Sequence, residues 1–254
     1  MENPQEMSTS FGAVASTYEV GRPEYPLEAV EWMLQPVSGP DYVPRVADVG
    51  AGTGKLTRAL TRLGAAVVAI DPDAEMLKTL HGVLPDVPTR VGNAESVPLP
   101  TASVDAVVLG QAWHWVEPVS GSKECARVIR PGGVLGLIWN IRDESVDWVN
   151  RLGDIMRGSA AERMLATGDP PLHEPFGDME SARWKWVRPM NRDGLMDMAR
   201  SRSYVITASR AERARIEAGL STLLDELGLE GGASIKFPYT TRAYRAIRPC
   251  DDPL

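Results

Sequence analysis

The sequence predicts an α/β chain built on a mostly parallel sheet, and two observations carry that prediction. Between Arg45 and Trp139, short apolar runs rich in β-branched residues alternate with helical patterns. That rhythm implies right-handed crossovers between parallel strands. A glycine-rich turn, GAGTG at 50–54, lies directly between the first such run and the helix after it, where an open α/β sheet places its ligand.

Taken in order, residues 1–10 are polar and expected to be loose. Leu27, Val30 and Leu34 recur at helical spacing and Pro36 ends the pattern, so a helix is predicted over 27–35. Three prolines make 36–44 a loop. Arg45–Val49 is the first strand. Lys55–Leu63 puts Leu56, Leu60 and Leu63 on one helical face, with Gly64 placed to cap its end. AAVVAI at 65–70 reads as a strand buried on both faces. Asp73 is placed to cap a helix carrying Met76, Leu77 and Leu80. Thr89–Val91 and Val104–Leu109 are the third and fourth strands. A helix at 119–129 is weakened by Gly121, and after RPGG (130–133) the fifth strand is Val134–Trp139. Beyond Asn140 the rhythm changes: a helical stretch at 143–166, a loop at 168–177, a strand at Arg183–Val187, helices at 192–200 and 208–228, and a partly alternating last strand up to Ile247. Pro238 has no N–H, so pairing there is expected to begin after it or to bulge.

The 254 residues, 43% of them hydrophobic, suffice for one sizeable core. A formal net charge of −7 argues against nucleic acid as a partner. The two cysteines, Cys125 and Cys250, make no disulfide framework, and a reducing cytoplasm is expected. His81, His114 and His173 are well separated with no cysteine cluster, so no metal site is expected. No apolar run is long enough for a bilayer, and MENPQEMSTS lacks the basic start and apolar stretch of a secretory signal.

Three ligand classes use a glycine loop between strand and helix. A phosphate loop, G-x-x-x-x-G-K-[ST], would put Val49 at its first glycine and Leu56 at its hydroxyl position, and both are wrong. A dinucleotide fingerprint begun at Gly50 would put Lys55 at its third glycine, which is wrong again. Asp71, ending the second strand, suits a ribose-binding acid in a dinucleotide site or in any other adenosine site.

The third class fits the residues. Asp48 before GAGTG, Asp71, GNAESVPLP (92–100), VDAVVLGQAWHWVEP (104–118) and RVIRPGGVLGLIW (127–139), in that order and spacing, resemble class I S-adenosylmethionine-dependent methyltransferases. Further, F-x-x-x-A-x-x-Y-x-x-x-R-P-x-Y-P at 11–26, the His114-Trp115 pair and P-Y-x-T-x-x-Y-R-A-x-R at 238–248 look like the small-molecule branch that includes trans-aconitate methyltransferases. The resemblance covers about residues 11–248. It implies a Rossmann-like, doubly wound seven-stranded sheet of order 3-2-1-4-5-7-6, mostly parallel with an antiparallel last strand and helical cap insertions. The chain is then one domain over 1–254: a cofactor-binding core at 11–140, cap helices and the sixth strand at 141–232, and the last strand at 233–248.

The same resemblance implies roles toward S-adenosylmethionine, whose product is S-adenosylhomocysteine. Asp71 would accept from both ribose hydroxyls. Pro72 and Met76 would cover the adenine. Ala94 N–H would donate to the ring, with Asn93 accepting from its exocyclic amine and Glu95 in the same segment. The Gly50, Ala51, Gly52 and Gly54 backbone would approach the methionine moiety, with Asp48 orienting the loop or a water. The backbone carbonyl of Gln111 would meet the amino group, and Arg22 or Tyr18 the carboxylate.

Methyl transfer mainly requires alignment and exclusion of water. A carboxylate acceptor needs no general base at pH 7; a hydroxyl usually benefits from one. His114 is the candidate base, and its alternative role is to orient the loop or pack on Trp113 and Trp115. Trp148, Met156, Trp184, Trp186, Met190, Met196 and Met198 are expected to furnish the cap, and Arg202 and Tyr204 to meet a polar acceptor. The sequence-level conclusion is methylation of a small molecule, at oxygen rather than nitrogen or carbon. The alternatives are an NAD(P)-dependent oxidoreductase and a non-catalytic cofactor-binding regulator.

Overall fold

The computed structural model describes residues 23–156 and 158–250. In chain order the elements are α1 (Leu27–Leu34), β1 (Arg45–Val49), α2 (Lys55–Arg62), β2 (Ala66–Asp71), α3 (Ala74–Val83), β3 (Thr89–Val91), β4 (Val104–Gly110), α4 (Pro118–Val128) and β5 (Ile129–Arg142). There follow α5 (Asp147–Met156), α6 (Ala160–Thr167), β6 (Glu180–Asn191), α7 (Arg192–Arg200), α8 (Ser203–Ile206), α9 (Arg210–Glu226) and β7 (Ser234–Ile247). A 3-10 turn at Trp113–Trp115 follows β4.

One seven-stranded sheet runs β3-β2-β1-β4-β5-β7-β6. Strands β1 to β5 pair in parallel, and β7 is antiparallel to both of its neighbours. This is the implied Rossmann-like order, with its antiparallel last strand.

Alternation along the strands decides which helices each face receives. In β1, Val46 joins Met33 of α1 and Leu60 of α2 on one face. Ala47 and Val49 join Cys125 and Val128 of α4 on the other. A third apolar cluster holds Leu152 and Met156 of α5, Met198 of α7, Leu220 and Leu223 of α9, and Phe237 and Tyr239 of β7. The cap segments thus own a core, into which Met190 also goes, with Trp148, Trp186 and Met196 half-buried against it. Trp184 departs from the cap expectation: it meets Trp32 of α1 edge-on, 5.9 Å between ring centres.

The structure refines several of these expectations. The helical stretch at 143–166 is two helices, because Ser159 and Glu162 form a reciprocal capping box that starts α6 anew. The fifth strand begins at Ile129 rather than Val134, the RPGG excursion being absorbed as a register shift opposite Val104–Ala106. Gly121 does not break α4, since a Cβ there would lie 2.3 Å from Val116 Cγ1; the helix needs glycine to pack on its own entry loop. Finally, pairing of β7 with β6 already starts at Ser234 and passes through Pro238 opposite Val187. The Pro238 carbonyl accepts from Asp143 N–H at 3.1 Å, beyond the end of β5. A residue's N and C=O leave a strand on the same edge, so the proline nitrogen faces away from β6 and no ladder bond is lost.

Candidate cofactor site

The loop after β1 is folded by its own amides. Gly50 N–H and Ala51 N–H both donate to Ile70 C=O at the end of β2, at 2.8 and 3.0 Å, and Gly54 N–H donates to Ala51 C=O at 3.0 Å. Gly52 N–H donates to Asp71 Oδ2 at 2.8 Å. Gly50, Gly52 and Gly54 all have positive φ. At Gly50 a Cβ would also stand 2.6 Å from the Ala112 Cβ, so turn and close approach both demand glycine there. These four amides are spent inside the protein, unlike those of an anion-cradling loop.

Two carboxylates back this loop. Asp48 points from β1 toward α2, where Thr57 Oγ1 donates to its Oδ2 at 2.6 Å. Its other oxygen, Oδ1, is buried and has no hydrogen-bond partner among the described residues. Burial pushes the Asp48 carboxyl up to about 7, with the Asp71 charge adding to the rise and the Thr57 hydroxyl opposing it. Asp71 is also raised by burial, to about 6, against the pull of the Asp73 and Gly52 amides. Asp73 N–H donates to Asp71 Oδ1 at 2.9 Å, and Asp73 in turn caps α3 as expected. A carboxylate offers about four lone-pair sites, so Asp71 keeps acceptor capacity beyond these two bonds.

A cleft opens over the loop, lined by Pro23, Tyr25, Gly50–Thr53, Lys55, Leu56, Gly110 and Gln111. Gln111, directly after β4, has φ 56, a left-handed conformation for a residue with a side chain. Its N–H donates to Ile138 C=O at 2.9 Å and its Nε2 to Asn140 C=O at 3.0 Å. Gly54 stands apart from the other loop residues, because a Cβ on it would strike Leu80 of α3. Pro72 is half-buried and Met76 buried beyond β2. Asn93 and Ser96 bracket a tight turn, and Asn93 Oδ1 is a second buried acceptor without a partner among the described residues. Ala94 is buried on the α4 face. Glu95 Oε1 accepts from Glu117 N–H at 2.9 Å, tying that turn to the entry of α4. Tyr18 and Arg22 lie outside the described residues, as does the side chain of Tyr204. Arg202 is buried, with Nη2 3.6 Å from Met198 Sδ.

His114 sits on the turn after β4, half-buried, its ring 4.8 Å from that of Trp115. Trp139 Nε1–H donates to His114 Nδ1 at 3.4 Å. A neutral ring in this bond carries its own proton on Nε2. The lone pair a base would use therefore faces the indole proton.

Sequence reasoning passed over two members of the site. Thr57 lies among the buried residues of α2 beside Leu56 and Leu60, and a hydroxyl on a buried helix face was the available signal. Asn140 is buried, donates from Nδ2 to Glu24 C=O at 3.1 Å, and accepts from Thr241 Oγ1 at 2.6 Å. No local pattern announces it. Among the described residues no cluster of metal-ligand side chains occurs, and no helix is long and apolar enough to cross a membrane.

Comparison with known proteins places this geometry. A family described as "Methyltransferase domain" matches residues 47–137. An uncharacterized methyltransferase of Mycobacterium tuberculosis is 42% identical over 248 residues, covering 95% of this chain and 97% of that protein. The chain belongs to the class I S-adenosylmethionine-dependent methyltransferases. This methyltransferase also resembles a solved structure of a proposed type II methyltransferase from Anaeromyxobacter dehalogenans, with TM-score 0.65 and 26% identity, covering 89% of this chain and 97% of that one. A ubiquinone biosynthesis O-methyltransferase of Xanthomonas oryzae is 37% identical over 142 residues, 50% of this chain and 57% of that protein. Membership in the family replaces the oxidoreductase alternative.

The methyltransferase's residues fit the cofactor its family uses. Asp48 Oδ1 and Asn93 Oδ1 are buried acceptors awaiting donors, and S-adenosylmethionine carries an ammonium and an exocyclic amine. When bound, it supplies a methyl group on a cationic sulfonium.

Proposed function

We propose that this methyltransferase delivers the methyl group to an oxygen of a small-molecule acceptor. The observation that carries the cofactor side is the pairing of spent loop amides with two buried acids. Negative charge behind the loop disfavours a pyrophosphate laid along it and suits a ligand that brings positive charge to the loop, while Lys55 on the cleft's lining suits an anionic end of the same ligand. In this reading Asp71 holds the ribose, and Pro72 and Met76 cover the adenine, with Asn93 and Ala94 on its edge and Glu95 fixing their turn. Gly50, Ala51, Gly52 and the Gln111 carbonyl surround the amino-acid end, Asp48 orients it, and Gly54 shapes the turn against Leu80; a role for Arg22 or Tyr18 at the carboxylate rests on the family resemblance alone.

Support for oxygen comes from the Xanthomonas relative's name and from His114. With its lone pair facing Trp139, His114 is better used to donate from Nε2 than to take a proton. An acceptor oxygen already ionised at pH 7 needs no base. Support for a small acceptor comes from the net charge of −7 and from the resemblance of 11–26 and 238–248 to the trans-aconitate branch.

The test is incubation of the enzyme with methyl-labelled S-adenosylmethionine and a metabolite extract. Label is expected in a small product from which mild alkali releases methanol. Label carried only by protein or nucleic acid would overturn the reading.

A further inference from the structure

The cleft has one cationic side chain among the described residues that line it, Lys55. Only 13% of that side chain is exposed. A largely desolvated ammonium needs an anion close by, and Glu24 Oε1 stands 3.5 Å from Lys55 Nζ. The same oxygen accepts from Arg58, one turn further along α2. Glu24 stands between Pro23 and Tyr25, which both line the cleft, so its carboxylate hangs at the cleft's lip. It is 44% exposed.

We propose that Lys55, backed by Arg58, is a binding residue for the carboxylate of the cofactor's amino-acid end, and that Glu24 occupies that place until the cofactor arrives. This inference rests on the cofactor reading above. The Gly50, Ala51, Gly52 and Gly54 amides are committed to Ile70, Asp71 and Ala51, so along the loop they do not cradle an anion, and Lys55 is the cationic side chain on the lining that can meet one. Asp48 and Asp71 lie buried behind the glycine loop, and negative charge there favours a carboxylate placed away from them, at Lys55 on the cleft's lining. Exchange of one carboxylate for another conserves the ion pair and returns an already half-wet Glu24 to solvent, where such pairs are worth little.

The experiment compares two ligands that share the adenosine thioether but differ at the amino-acid end: S-adenosylhomocysteine and 5′-methylthioadenosine. Calorimetric titration of Lys55→Met is expected to show about tenfold or greater loss of affinity for the first and less than about twofold change for the second. Retained binding of the second ligand also shows that the variant is folded. Lys55→Arg is expected to keep the preference for the first ligand, and Glu24→Gln to strengthen it. Loss of both ligands in equal measure by Lys55→Met, or of neither, would overturn the proposal. Failure of the wild-type protein to bind either ligand would instead overturn the cofactor reading on which it rests.

Discussion

Asp71 Oδ2 accepts the Gly52 amide proton at 2.8 Å, so the acid at the end of β2 is also the buckle of the glycine loop. Its removal has two separable effects. Asp71→Ala is expected to cost about 1–3 kcal/mol of stability, because Gly52 N–H loses its acceptor. It is also expected to weaken S-adenosylhomocysteine binding about tenfold or more. Urea unfolding measures the first effect and calorimetry the second; unchanged affinity would rule out the ribose role.

The two buried acids set a pH dependence. Both carboxyls are raised in the folded protein, Asp71 to about 6 and Asp48 to about 7, above an unfolded value of ~3.9. Between roughly pH 4 and 7 the folded state therefore binds more protons than the unfolded one, and these groups make the free protein less stable as pH rises. Asp48→Asn should flatten that decline in Tm. Affinity for the cationic donor should rise through the same window, since the donor favours the ionised pair. A wild-type Tm profile identical to that of Asp48→Asn would refute the assignment.

Arg142, at the end of β5, is held by Glu162 of α6 at 2.9 and 3.0 Å, with only 1% of its side chain exposed. Burial raises the Glu162 carboxyl, but Arg142 and Arg202 outweigh it and bring it down to about 2. The stability this pair contributes is present above the unfolded value of ~4.3 and lost as pH falls toward 2. Glu162→Gln should cost about 1.5–3 kcal/mol in urea unfolding, because Arg142 loses its buried carboxylate while the more exposed Glu144, 3.3 Å from its Nη2, still faces it.

His114→Ala should lower kcat by less than about tenfold once an acceptor is in hand, a smaller loss than removal of a general base brings. Its pH–rate profile should have the same limbs as the wild type. A larger loss together with a vanished limb near pH 6.5 would restore His114 as the base.

Gly121→Ala should destabilise the protein by about 1–3 kcal/mol despite the better helix propensity of alanine, since the new methyl meets Val116 at 2.3 Å. Thermal unfolding checks it, and Val116→Ala in the same chain should recover part of the loss.

The sequence by itself determined the strand–helix rhythm, the GAGTG turn and its flanking acids, and the capping role of Asp73. Each is written in local periodicity, in glycine's tolerance of positive φ, or in side-chain bonds to nearby amides, all of which act within a few residues. Only the tertiary structure decided the rest. Pro238 sits inside a paired strand because its neighbour lies on the other edge, and Gly121 belongs in a helix because Val116 crosses it. Asn140 joins Glu24 to Thr241 across more than a hundred residues on either side. Lys55, which breaks the dinucleotide pattern in the sequence, lines the cleft because α2 starts there. Such contacts depend on which elements share an edge or a face, and no window of sequence carries that information.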